Sequence, residues 1–566
     1  MHVPRASLSR PAAHGSLGAS ARASPSAAVG VAKARSALAP LRGAGRTGRR
    51  SSRPTRWTRA SSADDDRPRT SRPGREDDVL DATASSSALA DVRAPDPTKR
   101  AFARFVFTAA LSMFAFGVAT GSIASALVFL ETASADASVA SVASAALATN
   151  AKAALVAVTP LGAAFGALAA PRAANARGRK TALLRGAGVP YALGAFLCAV
   201  APTERVAAFH VCLLVGRAMQ GVGAGVSTSV TTMYVSECAP TALRGTAASL
   251  CPLSGTAGIV ASYVIGACVA ALVDASLITP DTAWRCCLGS CFVPVLAQVA
   301  LRDCLVESPR WLLSAARARE ARAAAARLGG DLEAELFRSG EPRGRAPGEQ
   351  SKSNHGARDA RYRDLFATSE TRAATGVAVA ANAAQQFCGI NAVVYFFPLV
   401  LAGDFGWKRT TAMAFAAVIS ASQVVFGAVL ARARVVDRFG RKPVALCGIA
   451  GLVVGLACLA AGVSERRSLL AIAGVCLFRL AFAASLGPLP YVVAAEVYVS
   501  SATRATGVAL ATATQWACNA LVSGTFLPLV SNLGPTRVWL VYLAACAAAL
   551  AAAVRFAPET KHVRLE

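Results

Sequence analysis

Twelve long apolar runs follow residue 100, and they constrain the fold of this chain more than any other feature. A helix of about 20 apolar residues is long enough to cross the hydrocarbon core of a bilayer. Only 16% of the residues are charged, whereas soluble domains carry about 25%, and the mean hydropathy is +0.45. The sequence therefore predicts an all-α membrane protein with twelve transmembrane helices. We place them at 103–129, 151–171, 181–201, 206–235, 246–272, 284–304, 372–401, 410–434, 443–463, 469–497, 505–531 and 537–556.

Basic residues are concentrated in alternate loops between these runs. They cluster at 172–180 after the second run and at 438–442 after the eighth, whereas the loop after the first run has none. Short loops rich in Lys and Arg remain on the same side of a membrane, according to the positive-inside rule. Because the basic loops alternate with loops poor in Lys and Arg, both termini and the long central loop are expected on the side of the basic loops. We divide this part of the chain into an N-terminal half at 101–304, a central loop with short amphipathic helices at 305–371, and a C-terminal half at 372–566.

The N-terminal leader supplies much of the net charge of +27. Twelve basic residues and no acidic residue precede Asp64, in a stretch rich in Ala, Ser, Gly and Pro. This composition predicts that residues 1–63 are a disordered organelle transit peptide, with a disordered cytosolic tail as the alternative, and that residues 64–100 are a linker. Because the charge lies in this leader and in short loops, and not on a folded face, we predict no nucleic-acid partner.

The cysteines and glycines indicate packing and not chemistry. The 15 cysteines lie mostly inside apolar runs and form no Cys-x-x-Cys pair, which argues against a metal site or a disulfide framework. The glycine-rich run GVGAG at 221–225 lies inside an apolar helix and is expected to allow close helix packing. No phosphate-binding loop or nucleophile motif is found, so we predict no cofactor and no enzymatic activity.

Three motifs occur twice. Residues 175–180 (NARGRK) correspond to 437–442 (DRFGRK), 262 positions later. The pair Glu237 and Arg244 corresponds to Glu496 and Arg504, with the glutamates 259 positions apart, and ESPR at 307–310 resembles PETK at 558–561. Such near-equal offsets predict two parallel six-helix repeats, which in transporters enclose a cavity near the membrane midplane.

Several of these segments resemble sugar porters of the major facilitator superfamily. The resemblance rests on GRAMQGVGAG (216–225), YVSECAPTALRG (234–245), ESPRWL (307–312), QQFCGINAVVYFFP (385–398), DRFGRKP (437–443), GPLPY (487–491) and PETK (558–561). It implies the major facilitator fold, a small-molecule sugar substrate, a lipid bilayer as environment and no obligate protein partner. Together with the basic leader, the resemblance is greater to plastid-envelope glucose transporters than to those of the plasma membrane. We therefore expect the protein in the plastid inner envelope and not in the plasma membrane or the vacuole.

The resemblance also implies a set of substrate-binding residues. Amides suit an uncharged sugar because each one both donates and accepts hydrogen bonds; buried amides that only pack helices are the alternative. Three positions depart from the family: Gln423 replaces an Asn, Tyr491 replaces a Trp, and Pro252 replaces a Gln and is expected to add a kink. The implied ligands are Gln385, Gln386, Asn391, Gln423, Tyr491, Gln515, Trp516 and Asn519.

A second implied set is a network of ion pairs near the basic loops. The resemblance implies that these charges pair across the two halves in one state and separate when the cavity opens inward; loose surface charges are the alternative. The implied set is Arg179, Arg217, Glu237, Arg244, Glu307, Asp437, Arg441, Glu496, Arg504 and Glu559. Asn175 occupies the position at which the family usually has an acidic residue in the first repeat, so we expect the ion pairing of that repeat to be weaker. Arg479 does not match the family, and we expect its side chain to reach toward the loop at 464–468.

Energy coupling is predicted from one position in the first helix. Proton-coupled members of the family place an Asp where this chain has Ala119. Because no other midplane carboxylate is available, the sequence predicts a facilitative transporter of a hexose such as glucose, working by alternating access. A proton-coupled sugar or polyol symporter is the alternative, and a non-transporting sugar sensor is a weaker one.

Overall fold

Long helices carry almost all of the chain that the structure, a computed structural model, describes. The described residues are 97–132, 149–241, 243–337, 362–433, 435–498 and 501–556. The predicted leader and all but the last residues of the linker therefore lie outside them. The twelve long helices are α1 Pro97–Thr132, α2 Thr149–Arg177, α3 Arg179–Ala199, α4 Val206–Cys238, α5 Arg244–Asp274, α6 Pro280–Ala300, α7 Ser369–Gly403, α8 Arg409–Arg432, α9 Arg441–Ser464, α10 Ser468–Glu496, α11 Ser501–Leu533 and α12 Pro535–Phe556.

This architecture confirms the predicted all-α fold with twelve long helices. Among the described helices, eleven are long and apolar enough to cross a membrane. The remaining one, α11, has 33 residues but is more polar, because it carries Gln515, Asn519 and several hydroxyl side chains. These polar residues include three that the sequence assigned to substrate binding, Gln515, Trp516 and Asn519.

Two of the long helices are interrupted at motifs that the sequence assigned to the sugar site. Helix α7 consists of Ser369–Phe387 and Ile390–Gly403, and Gly389 between them has a φ of 85°. Helix α10 is interrupted after Ala484 and resumes at Leu489. Interrupted helices expose backbone groups, which is tolerated at membrane depth only where other protein groups or a water-filled cavity satisfy them.

Glycines bring α2 and α4 into close contact. A Cβ atom added to Gly221 or Gly225 on α4 would overlap the backbone of α2, and one added to Gly162 or Gly166 on α2 would overlap the backbone of α4. Small residues at such contacts let helix backbones approach closely in membranes. The prediction that the glycine-rich run serves helix packing is confirmed.

The halves pack together along helix pairs and at one end. Helix α2 lies along α11, and α5 lies along α8. A buried apolar cluster also joins the C-terminal end of α1, at Ile123 and Leu130, to the second segment of α7, at Val394 and Phe397. These parts of α1 and α7 lead to loops opposite to the basic ones, so the two halves contact each other on that side.

Three short helices follow α6: Pro309–Ser314, Ala318–Leu328 and Gly330–Leu336. The middle one is amphipathic, because its small and apolar residues, including Ala321 and Leu328, are buried while its charged residues are exposed. It packs near the N-terminal part of α1. Short amphipathic helices are thus present where the sequence predicted them, and residues 338–361 lie outside the described part.

Candidate functional site

The three amides assigned to α7 form a continuous hydrogen-bonded relay. Asn391 Nδ2 donates to Gln386 Oε1, and Gln386 Nε2 donates to Gln385 Oε1 at 3.1 Å. Gln385 Nε2 then donates to the carbonyls of Leu486 and Gly487 at 2.7 and 3.0 Å. These carbonyls belong to the interruption of α10, so the relay connects the break in α7 to the break in α10.

The members of the relay differ in their remaining hydrogen-bonding capacity. Gln385 and Gln386 are buried, whereas Asn391 is partly exposed. Both N–H groups of the Gln385 amide are used by the α10 carbonyls, and its oxygen accepts from Gln386. Gln386 keeps a second N–H, and the relay does not use the Oδ1 of Asn391. The geometry therefore makes Gln385 an anchor for α10 and leaves Gln386 and Asn391 as the members able to bind a ligand.

A second group joins α10 and α11. Gln515 Nε2 donates to the Tyr491 hydroxyl at 2.7 Å. The Tyr491 side chain is 43% exposed, whereas Gln515 is buried and its Oε1 has no hydrogen-bond partner among the described residues. Asn519 Oδ1 accepts from Ser523 Oγ at 2.8 Å. An accessible aromatic ring beside a buried acceptor is the arrangement that a sugar needs, with one apolar face and several hydroxyl donors.

Trp516 contacts the opposite half of the protein. Its Nε1 donates to Thr228 Oγ1 on α4 at 3.4 Å, and its ring lies edge-on to Phe116 on α1 with the centroids 5.4 Å apart. Sequence reasoning did not select Thr228 or Phe116. The hydroxyl-rich stretch STSVTT at 227–232 could have indicated Thr228 as a site residue, because its hydroxyl side chains lie within an otherwise apolar helix.

Gln423 on α8 is not part of the hydrogen-bonded groups described above, as far as the described residues show. Its Oε1 is buried without a hydrogen-bond partner in the described part of the chain. No hydrogen bond found there joins it to the amides of α7 or α11. Pro252, the other departure on this side, lies within α5, which continues across it.

Ala119 and Arg217 meet in the interior of the N-terminal half. Arg217 is 1% exposed, and its Nη1 donates to the Ala119 carbonyl at 2.7 Å and to Gln220 Oε1 at 2.8 Å. Within the described residues no acidic side chain forms an ion pair with it. The arginine is thus held by the backbone carbonyl of the residue at which the family resemblance leads us to expect a carboxylate in a proton-coupled transporter.

Each half contains one well-formed ion pair beside its repeated basic motif. Arg179 binds Glu237 through two hydrogen bonds of 2.8 and 3.0 Å, and Arg441 binds Glu496 through two of 3.2 and 2.6 Å. Bidentate contacts between arginine and carboxylate combine charge with fixed geometry. Each pair joins residues of a single half: Arg179 and Glu237 lie in the N-terminal half, and Arg441 and Glu496 lie in the C-terminal half. The pairing between the halves that the resemblance implies therefore stays a prediction for another conformational state.

The neighbouring lysines repeat the same geometry. Lys180 Nζ donates to the Leu305 carbonyl at 2.7 Å, and Lys442 Nζ donates to the Val554 carbonyl at 3.0 Å. Gly178 and Gly440, which precede the two arginines, have φ values of 89° and 93°. Two equivalent loops with equivalent contacts support the duplication that the sequence predicts.

Glu307 binds the N-terminus of α3. Its Oε1 accepts from the backbone N–H groups of Arg179, Lys180 and Ser308 at 2.7, 3.1 and 3.0 Å. A carboxylate is favourable there because the first N–H groups of a helix have no partner within it and carry partial positive charge. Its predicted counterpart, Glu559, lies outside the described residues, as does the side chain of Asp437.

The remaining two arginines of the predicted network, Arg244 and Arg504, contact residues outside that network. Arg244 lies 3.4 Å from Glu335, and Arg504 Nε donates to the Tyr498 carbonyl at 3.1 Å. Glu335 also binds Arg310 at 3.0 Å. Partial burial by itself raises the pKa of Glu335, but hydrogen bonds from Thr241 and the charge of Arg310 outweigh this effect and lower that pKa below its ordinary value. Glu335 therefore remains charged and links α5 to the short helices after α6.

The prediction for Arg479 is wrong. The side chain does not reach toward the loop at 464–468: it is 4% exposed, and its Nη2 donates to the Ser420 hydroxyl on α8 at 3.0 Å. Position along the chain cannot reveal this, because the direction of the side chain depends on which neighbouring helix offers an acceptor.

Comparison with known sequences identifies the family. The model of the family described as "Sugar (and other) transporter" matches residues 105–566. The galactose-proton symporter of Escherichia coli (strain K12) is 29% identical over 484 residues, which cover 84% of this chain and 96% of that protein. Plastidic glucose transporter 4 of Arabidopsis thaliana is 29% identical over 468 residues, which cover 82% of this chain and 79% of that protein.

Comparison with solved structures agrees at the level of the fold. The xylose transporter XylE from E. coli, in a partially occluded inward open conformation, superimposes with a TM-score of 0.66 and 23% identity. The match covers 82% of this chain and 99% of that one. Together with the family match over residues 105–566, the twelve-helix architecture and the duplicated ion-pair loops lead to one conclusion: this chain is a multi-pass membrane protein with the major facilitator fold, and it belongs to the family described as "Sugar (and other) transporter".

Proposed function

We propose that this protein is a facilitative hexose transporter that works by alternating access without proton coupling. The observation that carries the proposal is the contact between Arg217 and the backbone carbonyl of Ala119. Proton coupling requires a group within the membrane that takes and releases a proton during the cycle. A carbonyl cannot do this, and arginine stays protonated at physiological pH.

The acidic side chains of the described helices support the same proposal. Glu237 and Glu496 lie at the ends of membrane-crossing helices, and each one is paired with an arginine. Each of these two carboxylates accepts two hydrogen bonds from its arginine, which combines charge with fixed geometry. These carboxylates therefore serve better as structural partners than as proton carriers.

The hexose assignment rests on the amides and aromatic rings between α7, α10 and α11. Gln386 and Asn391 have unused capacity, and Gln515 Oε1 is a buried acceptor beside the accessible Tyr491 ring. Leaving a buried polar group without a partner costs about 1–3 kcal/mol, so a ligand rich in hydroxyl groups is favoured over an apolar one. The glucose- and galactose-transporting relatives support the same class of substrate.

The uniport proposal predicts a specific result in proteoliposomes. Labelled hexose should equilibrate across the membrane and should not accumulate beyond equilibrium when an inward proton gradient is imposed. A protonophore should change the uptake little. A known proton symporter in parallel vesicles verifies that the gradient is present.

The second candidate is proton-coupled symport, which the names of the galactose-proton and xylose-proton symporters among the relatives favour. Accumulation above equilibrium that a protonophore collapses would establish this alternative and overturn uniport. The proton site would then have to be an end-of-helix acid such as Glu237.

We also propose the plastid inner envelope as the location, supported by the basic leader and by the plastidic glucose transporter among the relatives. A fluorescent protein fused to residues 1–100 is expected to enter plastids. A fusion of residues 64–100 alone, which lacks the twelve basic residues of the leader, is the matched control and should stay in the cytosol. Cytosolic fluorescence from the longer fusion would contradict the proposal.

A further inference from the structure

Arg479 is a buried cation that the transport proposal does not use. It lies within the first segment of α10, is 4% exposed, donates a hydrogen bond to Ser420, and also interacts with the hydroxyl of Tyr263. Its Nε is buried and has no hydrogen-bond partner among the described residues. No acidic side chain of the described chain forms an ion pair with it. Charged groups at membrane depth are costly and are usually paired or face a polar cavity.

A small cavity lies beside this guanidinium. Its volume is about 10 Å³, and it is lined by Arg479, Tyr263 and apolar side chains that include Val393, Phe397 and Ile419. A cavity of this size holds about one water-sized particle. The site therefore combines a positive charge, an unused N–H donor and room for a single small species.

The hydroxyl of Tyr263 is fixed by the backbone of α7. Pro398 has no N–H and therefore cannot bind the Val394 carbonyl four residues earlier. The Tyr263 hydroxyl donates to that carbonyl instead. Because its hydrogen is used in this way, Tyr263 helps to hold the wall of the cavity, and Arg479 is left as the source of donors to a bound species.

From these contacts we propose that a small monovalent inorganic anion, with chloride as the probe, binds between α5, α7, α8 and α10 beside Arg479. An anion supplies the counter-charge that the described side chains do not, and it accepts from the unused Nε–H. A neutral water molecule satisfies the hydrogen bond but leaves the charge uncompensated, so the charge favours the anion.

The site also spans the boundary between the two halves. Tyr263 belongs to α5 of the N-terminal half, whereas Arg479, Ser420 and Val394 belong to the C-terminal half. Alternating access moves the halves relative to each other, so the cavity as described exists only in arrangements in which α5 meets α7 and α10. A bound anion therefore stabilises this arrangement.

The test measures binding directly and does not rest on the proposed function, because no sugar is added. The full-length protein is purified in detergent, and its thermal-unfolding midpoint is measured in sodium chloride and in sodium gluconate at equal ionic strength. We expect saturating chloride to raise the midpoint by about 2–4 °C relative to gluconate. Bromide is expected to replace chloride.

Two variants locate the effect. Arg479→Gln should lose the difference between chloride and gluconate. Arg467→Gln removes a neighbouring arginine that is 73% exposed and paired with Glu465 at the loop, and it should keep the difference. Equal midpoints of the unchanged protein in both salts, or a chloride effect that persists in Arg479→Gln, would overturn the proposal.

A second measurement covers the case in which Arg479→Gln does not fold. Crystals of the unchanged protein grown in bromide should give an anomalous-scattering peak next to Arg479 Nε. Ordered water without anomalous signal at that position overturns the anion assignment.

Discussion

Replacing Gln386 by alanine is expected to weaken hexose binding by roughly ten- to a hundredfold. The change removes an amide that we propose binds the sugar, and it also removes the acceptor of Asn391 Nδ2 and the donor to Gln385 Oε1. Asn391→Ala should have an effect in the same range, because it removes the partly exposed end of the relay. The measurement is the dissociation constant of the hexose for purified protein, by calorimetry or by quenching of tryptophan fluorescence.

The matched control is Gln298→Ala in the N-terminal half. Gln298 is 2% exposed, compared with 3% for Gln386, and its Nε2 donates to the Thr108 carbonyl at 3.0 Å, joining α6 to α1. Its loss should lower the thermal-unfolding midpoint and leave the hexose affinity unchanged. Unchanged affinity in both Gln386→Ala and Asn391→Ala would show that the α7 amides pack helices and do not bind sugar.

Gly178→Ala is expected to destabilise the protein by about 3 kcal/mol or more. One contribution is conformational, since Gly178 has a φ of 89° and a ψ of 162°, a region that essentially only glycine adopts and that costs on the order of 1–3 kcal/mol for other residues. The other is steric, since the added Cβ would overlap Glu307 Oε2 and lie 2.7 Å from its Cδ. The carboxylate would have to move away from the three N–H groups it binds, and hydrogen bonds to a charged group are worth about 1.5–3 kcal/mol each.

Gly329→Ala separates these two contributions. Gly329 joins two of the short helices after α6 with a φ of 137° and a ψ of 144°, and an added Cβ there would meet nothing within 4 Å. It should therefore cost only the conformational term, on the order of 1–3 kcal/mol. The measurement is the thermal-unfolding midpoint of both variants in the same detergent. If the two midpoints fall equally, the contact with Glu307 contributes nothing to stability.

The contacts around the ion pair of the first repeat differ from those around the ion pair of the second repeat. Both repeats contain a glycine with positive φ followed by an arginine bound to a glutamate. In the first repeat Ser308 Oγ also donates to Glu237 Oε2 at 2.6 Å, so the Arg179 pair is tied to the segment that begins the central loop. The unusual Asn175 of this repeat is used through its backbone, because its carbonyl accepts from Trp311 Nε1 at 3.0 Å.

The sequence by itself determined the helix content, the number of long helices and the residues of the repeated loops. These features depend on local properties. An apolar run of sufficient length must be helical in a membrane, because lipid cannot satisfy backbone N–H and C=O groups. The glycine-rich run in α4 predicts close helix packing for a similar reason, since the lack of side chains is visible in the sequence itself, whereas its partner α2 is known only from the structure.

Only the tertiary structure decided which partner each polar side chain binds. Gln385 was selected as a ligand, but the carbonyls that occupy its N–H groups lie about 100 positions later and become available because α10 is interrupted. Arg217 binds the Ala119 carbonyl, which has no signature in the sequence because every residue has a carbonyl. Arg479 points to α8 and not to a loop because Ser420 and the cavity beside Tyr263 lie within its reach. Such contacts depend on distances and directions between helices far apart in the chain, and these are set by the packing of the whole bundle.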